Sequence, residues 1–364
     1  MKVAVLGAGA GGASACVELS RQGHQVRLWN RSPAALSAFR EKGGIRHQGV
    51  LGDGFTPLAA MSQNLGTIVA GVDVILVCLP TLVHASIAKS LSALGGRHIP
   101  VVLNPGHTGG ALEFSEVFRQ SGRCAPPIAE FSTLTYVARK PEPDCVFTSG
   151  RAKSVRLAAL PGGEDAASIA AELYDCAHRT PDVLFTGLSN VNMVLHPPGA
   201  ILGAAWIEAT GGDFTFYVEG LTDGVARVMG QLDEERRAVG RAFGHDLPSL
   251  FEEMVSIGTI EPDVDPAVGL AAAIRAGKAN RKITAPNTLS HRYYLEDFWY
   301  GLEPFLAFAA IADVATPVAS SLMGVGTALL GDLAPKKGRS AAAMGIEKMN
   351  RDALVAKVRE MVHG

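Results

Sequence analysis

Cysteine is scarce in this 364-residue chain: five stand at positions 16, 78, 124, 145 and 176, with no CxxC pair and no histidines clustered around them. That spacing excludes the usual zinc frameworks and offers no disulfide pattern, so a reduced, cytoplasmic protein is expected. A basic excess is also missing, since 33 Lys and Arg face 35 Asp and Glu for a formal net charge of −2. Neither nucleic acid nor an anionic membrane surface has electrostatic support as a partner, and a small molecule is the expected ligand. No apolar run reaches the roughly 20 residues that a membrane span requires. The most apolar region, FLAFAAIADVATPVASSLMGVGTALL, is broken by Asp313 and Pro317 and reads as two buried helices. Met1 leads straight into a strand pattern, so no secretory or transit leader is expected. Charged residues make up only 19% of the chain, which fits much buried helix and the interface of a homodimer.

At roughly 100 to 200 residues per domain, the length points to two domains. The first half alternates β-rich runs with amphipathic stretches, the pattern of a doubly wound parallel sheet wrapped by helices. Strands are expected at KVAVL (2–6), QVRLW (25–29), VDVILVCL (72–79) and PVVLN (100–104), with others around CVFTSG, SVRLAAL and VLFTG. EDAASIAAELYDCAH reads as a helix between the last two. From Ser189 onward helical periodicity takes over. The segment from Phe216 to Phe243 sets Leu221, Val225, Val228 and Leu232 on one helix face. The expected architecture is an α/β Rossmann-type domain over residues 1–187, joined to an all-helical domain over residues 188–364.

The glycine-rich turn GAGAGG follows the first strand and opens a helix, with Gly7, Gly9 and Gly12 in G-x-G-x-x-G spacing. In that context Gly7 permits the tight turn, Gly9 the approach of a pyrophosphate, and Gly12 close packing of the helix. Ala10 and Gly11 complete a loop whose free N–H groups and helix dipole favour phosphate. Many NAD sites carry a carboxylate at the end of the second strand; here that place is Asn30, followed by Arg31 and Ser32. Nothing there repels a 2′-phosphate, and arginine pairs with one through its planar fork, so NADPH is expected to be preferred over NADH. Pro80 and Thr81, at the end of the 72–79 strand, and Thr108 in LNPGHTGGALEF are further expected cofactor contacts, because ligands occupy the carboxyl ends of such sheets.

A dinucleotide site does not name a reaction. SNVNMVLHPPGAILGA carries Asn192 and His196 at i, i+4, on one helix face if the helix extends that far. A histidine before two prolines serves equally well to end a helix or to satisfy a buried carbonyl, and histidine is also the usual acid/base near neutral pH. At SHRYYLEDFWYGLEPFLAFAAIADVATP the chain resembles the octopine/nopaline-type opine dehydrogenases. The resemblance also rests on the glycine loop, NPGHTGGALEF, AEFSTLTYVAR and NVNMVLHPPG, and spans nearly the whole length. It implies a dinucleotide-binding domain joined to a helical substrate domain, and NAD(P)H-dependent reductive condensation of an amino acid with a 2-oxo acid.

The resemblance places the catalytic histidine at His196 and its partner at Asp297. Two carboxylates enter such a reaction, which makes Arg292 and Arg139 candidate clamps, each equally suited to a structural ion pair. Tyr293, Tyr294, Phe298, Trp299 and Tyr300 could wall the amino-acid pocket or pack between helices. Two departures stand out: many relatives carry Asn at the place of Ala10, and Val-Pro at that of Phe298 and Trp299. Bulky aromatics there would reshape the pocket beside Asp297. The competing enzyme reading is a reductase of a simple 2-oxo acid, like ketopantoate reductase or glycerol-3-phosphate dehydrogenase, with Lys278 or Lys282 as acid. A binding protein that senses NADP(H) without turnover is the non-enzymatic one.

Overall fold

The structure is a computed structural model that describes residues 1–95 and 98–359. The chain separates into two compact units, one formed by residues 1–106 and 110–183 with Arg359, the other by residues 107–109 and 184–358.

The first unit runs β1 (Lys2–Leu6), α1 (Ala10–Arg21), β2 (Gln25–Trp29), α2 (Pro33–Lys42), β3 (Gly44–Gly49), β4 (Gly54–Pro57), β5 (Ala60–Ser62) and α3 (Leu65–Val69). It continues through β6 (Val74–Val77), α4 (His84–Leu94), β7 (Val101–Leu103), α5 (Gly110–Gln120), β8 (Ile128–Phe131) and β9 (Tyr136–Glu142). It closes with β10 (Cys145–Arg151), β11 (Val155–Ala159), α6 (Glu164–Leu173) and β12 (Ala177–Arg179). Eight strands form the main sheet in the order β12-β11-β8-β7-β6-β1-β2-β5. It is parallel except where β11 meets β8. The order reverses at β1, flanked by β2 and β6, which is where a Rossmann-type sheet opens a crevice for a ligand. All four residues of β6 are buried, as a central parallel strand requires.

A second sheet, β4-β3-β10-β9, was not foreseen as such; CVFTSG is a strand, but it pairs here rather than in the main sheet. This sheet explains why α1 is buried at every residue from Gly12 to Leu19. The helix contacts β1 and β2 of the main sheet and β9 and β10 of the other, and the Ser14 and Thr148 hydroxyls meet at 2.8 Å. A helix covered on all sides reads as small and apolar, as GGASACVEL does. Its one buried acid, Glu18, is paired with Arg151 at 2.6 Å.

The second unit is helical: α7 (Val183–Leu188), α8 (Val191–Leu202), α9 (Ala204–Thr210), α10 (Asp223–Ala242), α11 (Leu250–Ile257), α12 (Leu270–Ala276), α13 (Arg292–Leu295), α14 (Glu303–Ala312), α15 (Pro317–Leu330) and α16 (Arg351–Arg359). VLFTG, expected as a strand, is α7. A short apolar run does not distinguish a strand from a buried helix, and the strand falls earlier, at β12. The helix expected from Phe216 begins at Asp223, where the Thr222 side chain accepts the Val225 N–H. Its buried stripe takes Met229 rather than the half-buried Val228. The long apolar region divides as expected: α14 stops at Asp313 in the left-handed region, φ 54°, and α15 starts with Pro317 in its first turn. Among the described residues, no helix is long and apolar enough to cross a membrane.

Candidate active site

Two sets of candidate residues stand out, one in each unit. In the first, the glycine loop lies between β1 and α1. A Cβ at Gly7, whose φ is 125°, would stand 2.3 Å from the Cys78 carbonyl oxygen, and one at Gly12 would stand 1.9 Å from the Gly7 oxygen. A Cβ at Gly9 would meet nothing within 4 Å. Gly7 and Gly12 are therefore glycine for packing, while Gly9 leaves open space before the helix end. No side chain caps that N-terminus, so its first N–H groups remain available to an anion. These features fit a dinucleotide pyrophosphate at Gly9, Ala10, Gly11 and Gly12.

Asn30, at the end of β2, has a structural job that its sequence position did not reveal. Its Oδ1 accepts the Ala8 N–H at 3.1 Å and its Nδ2 donates to the Ser32 carbonyl at 3.4 Å, tying the strand end to the glycine loop. Arg31 and Ser32 are exposed, and α2 begins after Ser32 without a side-chain cap. After β6, Pro80 is exposed while Thr81 is buried at the start of a short 3₁₀ turn.

The second set is built on α8 and α13. The Asn190 side chain caps α8 by accepting the Asn192 N–H at 3.2 Å, and the helix runs through Pro197 and Pro198 to Leu202, so His196 does not end it. Asn192 is half-buried one turn before the histidine. The short α13 is capped by His291, and its Tyr294 hydroxyl donates to the Ala200 carbonyl at 2.8 Å, fastening it to α8. Asp297 follows, opening a single π-helical turn over Phe298–Leu302. Such turns are rare and recur at functional sites.

This geometry brings His196 and Asp297, 101 residues apart, into a buried hydrogen bond of 2.7 Å between Nδ1 and Oδ2. Asp297 Oδ1 is also buried and has no hydrogen-bond partner among the described residues. The His196 Nε2 meets the Tyr217 hydroxyl at 2.7 Å, and Tyr293 stacks on the imidazole at 3.7 Å with 20° between planes. Phe216 closes the cluster at 4.8 Å from Tyr293. It can sit there because α8 offers Gly199, where a Cβ would fall 2.6 Å from the Phe216 ring. Burial, and then the neighbouring Tyr293, hold the Tyr217 phenol well above the usual tyrosine range.

The other expected site residues divide. Arg292, first residue of α13, pairs through Nε with Glu296 at 3.2 Å and leaves its side chain about half exposed, at 49%. Arg139 belongs to the first unit, exposed on β9 with its guanidinium 5.2 Å above the Phe147 ring. The Thr108 hydroxyl is engaged within the helical unit, donating to the Gly187 carbonyl and accepting from Asn190 Nδ2. Of the aromatic block, Tyr293 alone stacks on His196; Phe298 lies in the core against Gly326, and Tyr300 lies 5.4 Å under the Arg339 guanidinium. Phe298 therefore takes core volume. Lys278 and Lys282 are both exposed. Sequence reasoning missed Phe216 and Tyr217, since nothing in TFYVEG has a period or motif linking it to His196.

Residues 179–330 match the family described as NAD/NADP octopine/nopaline dehydrogenase, alpha-helical domain, and residues 3–108 match that described as ketopantoate reductase PanE/ApbA. An opine dehydrogenase of Arthrobacter sp. (strain 1C) is 30% identical over 350 residues, 94% of each chain. A D-nopaline dehydrogenase of Agrobacterium vitis is 24% identical, over 92% of this chain and 87% of its own. Among solved structures, an octopine dehydrogenase in complex with NADH and agmatine aligns over 100% of both chains with a TM-score of 0.78 and 18% identity. A yersinopine dehydrogenase with NADP+ bound aligns over 98% of both with a TM-score of 0.68 and 12% identity.

Proposed function

We propose that this chain, which belongs to the octopine/nopaline-type opine dehydrogenase family of NAD(P)-dependent oxidoreductases, reductively joins the amino group of an amino acid to a 2-oxo acid and runs the reverse oxidation. The observation that carries this reading is the buried His196–Asp297 hydrogen bond of 2.7 Å within the helical unit. A carboxylate on Nδ1 fixes the tautomer and the orientation of the ring, and an imidazole so held is suited to pass a proton on through Nε2. Bound NAD(P)H supplies the hydride that reduces the imine carbon. His196 is the source of the proton that leaves with the carbinolamine oxygen as water, and Asp297 stabilises the imidazolium. Arg292, half exposed beside the pair, supplies a planar fork for a substrate carboxylate. Solved structures of octopine dehydrogenase hold agmatine, L-arginine or pyruvate, which supports an amine and an oxo acid as the substrate classes.

The decisive assay follows loss of reduced nicotinamide with pyruvate, 2-oxoglutarate and oxaloacetate, each alone and then with a panel of amino acids. Consumption is expected only when both partners are present. Consumption with an oxo acid alone would replace this reading with that of a simple reductase.

NADPH is the preferred cofactor in this reading. Asn30 turns inward to the glycine loop, so recognition of a 2′-phosphate falls to exposed Arg31, to Ser32 and to the uncapped start of α2. A partly solvated, charge-assisted contact of this kind contributes on the order of 1.5 kcal/mol. Arg31→Ala is expected to lower kcat/KM for NADPH about tenfold, with NADH nearly unaffected. An unchanged NADPH/NADH ratio in the variant would remove Arg31 from cofactor selection.

A further inference from the structure

Both ring nitrogens of His196 are already engaged: Nδ1 by Asp297 and Nε2 by the Tyr217 hydroxyl, each at 2.7 Å. One ring face is covered by Tyr293 at 3.7 Å, and an edge contact to Phe216 lies at 6.2 Å. The imidazole therefore presents no free nitrogen to a substrate. Tyr217 is held firmly. Phe216 N–H donates to the Ile283 carbonyl at 2.9 Å, Ala285 N–H to the Phe214 carbonyl at 2.8 Å, and Glu219 accepts from both Thr215 N–H and its hydroxyl. The Tyr217 ring is also set edge-on to Phe216, 5.0 Å away at 89°.

We propose that Tyr217 is itself a catalytic residue, the group that exchanges the proton with substrate, with His196 and Asp297 forming the relay behind it. The inference rests on the acid–base reading of the pair. In the direction of condensation, the carbinolamine C–O bond breaks as its oxygen takes the phenolic proton and leaves as water. The nitrogen lone pair forms the C=N bond, and the phenolic oxygen takes a proton from His196 Nε2–H. Imidazolium becomes neutral imidazole, still donating through Nδ1–H to Asp297, and the phenol is regenerated. The reverse oxidation runs the same proton inward. Burial of the phenol, which disfavours a free phenolate, requires the two transfers to be coupled.

Tyr217→Phe removes one oxygen and keeps the ring packing. It is expected to lower kcat at least tenfold with KM for both substrates and Kd for NADPH within about twofold, and to add nothing in a His196→Ala background, because the two act in series. With 3-fluorotyrosine at position 217, which acidifies the phenol and keeps the hydrogen bond, the pH profile of kcat is expected to move; a phenol that merely holds His196 in place would leave it unmoved. Wild-type kcat in Tyr217→Phe, losses that add to those of His196→Ala, or an unmoved profile would overturn the relay while leaving the pair in place. Full turnover in His196→Ala would instead remove the acid–base reading beneath it.

Discussion

His196→Ala and Asp297→Ala are each expected to lower kcat by about 10² to 10⁴, the usual worth of a positioned acid/base, while the Kd for NADPH stays within about twofold. The separation of the two effects follows from construction. The pair stands on α8 and beside α13 in the helical unit, whereas the glycine loop, Asn30 and Arg31 belong to the other unit. Asp297→Asn is the sharper version of the test. It preserves shape, but the amide has no charge to stabilise an imidazolium and can present an N–H where His196 Nδ1–H needs an acceptor. That favours the wrong tautomer. Asp297 Oδ1 has no hydrogen-bond partner among the described residues, so His196 is the side chain that its carboxylate serves by hydrogen bonding. Steady-state rates paired with fluorescence titration of NADPH would check this. Turnover close to wild type in either alanine variant would end the catalytic assignment, and a large rise in Kd would show that the residues serve cofactor binding instead.

The parts of this protein that were legible in its sequence are those set by local chemistry. The glycine loop is one, because a Cβ at Gly12 collides with the backbone oxygen of Gly7 in the same loop. The break at Asp313 and Pro317 is another, since a left-handed C-cap and a first-turn proline are written in single residues. What was not legible depends on tertiary partners. Asn30 reads as a cofactor contact, and nothing in the sequence shows that its side chain also ties the strand end to Ala8 and Ser32. Phe298 reads as a pocket wall until the missing side chain of Gly326 gives it a place in the core. The second sheet joins β3 to β10, about 100 residues later, and no short-range period records such a pairing. His196 and Asp297 were placed by resemblance rather than by spacing, and Tyr217 by neither. Its hydroxyl meets the imidazole beside the Phe216 ring, for which Gly199 leaves room.

His107 should make the folded state sensitive to mild acid. It is buried, 3% exposed, and occupies the left-handed region at φ 59°, where a residue with a Cβ is uncommon. Burial holds its imidazole down at about 4, with Glu296 and Asp297 pulling the other way and Arg292 and Arg339 reinforcing burial. In the unfolded chain the same group titrates near 6.5. Between those values the unfolded state binds the extra proton, so stability rises with pH across the window. The contribution is fully present above about 6.5, is lost as pH falls toward 4, and levels off below it. At about 1.4 kcal/mol per pH unit, the gap is worth about 3 kcal/mol, a large share of a typical folding free energy. His107→Asn tests this cleanly, because asparagine tolerates left-handed backbone and does not titrate. Urea unfolding of both proteins at pH 7.5, 6, 5 and 4 should show the wild type losing about 3 kcal/mol more than the variant across the series. Parallel losses in the two would mean that His107 is protonated in the folded state as readily as in the unfolded chain. Its burial would then be offset by the carboxylates of Glu296 and Asp297, and the acid sensitivity would belong to other groups.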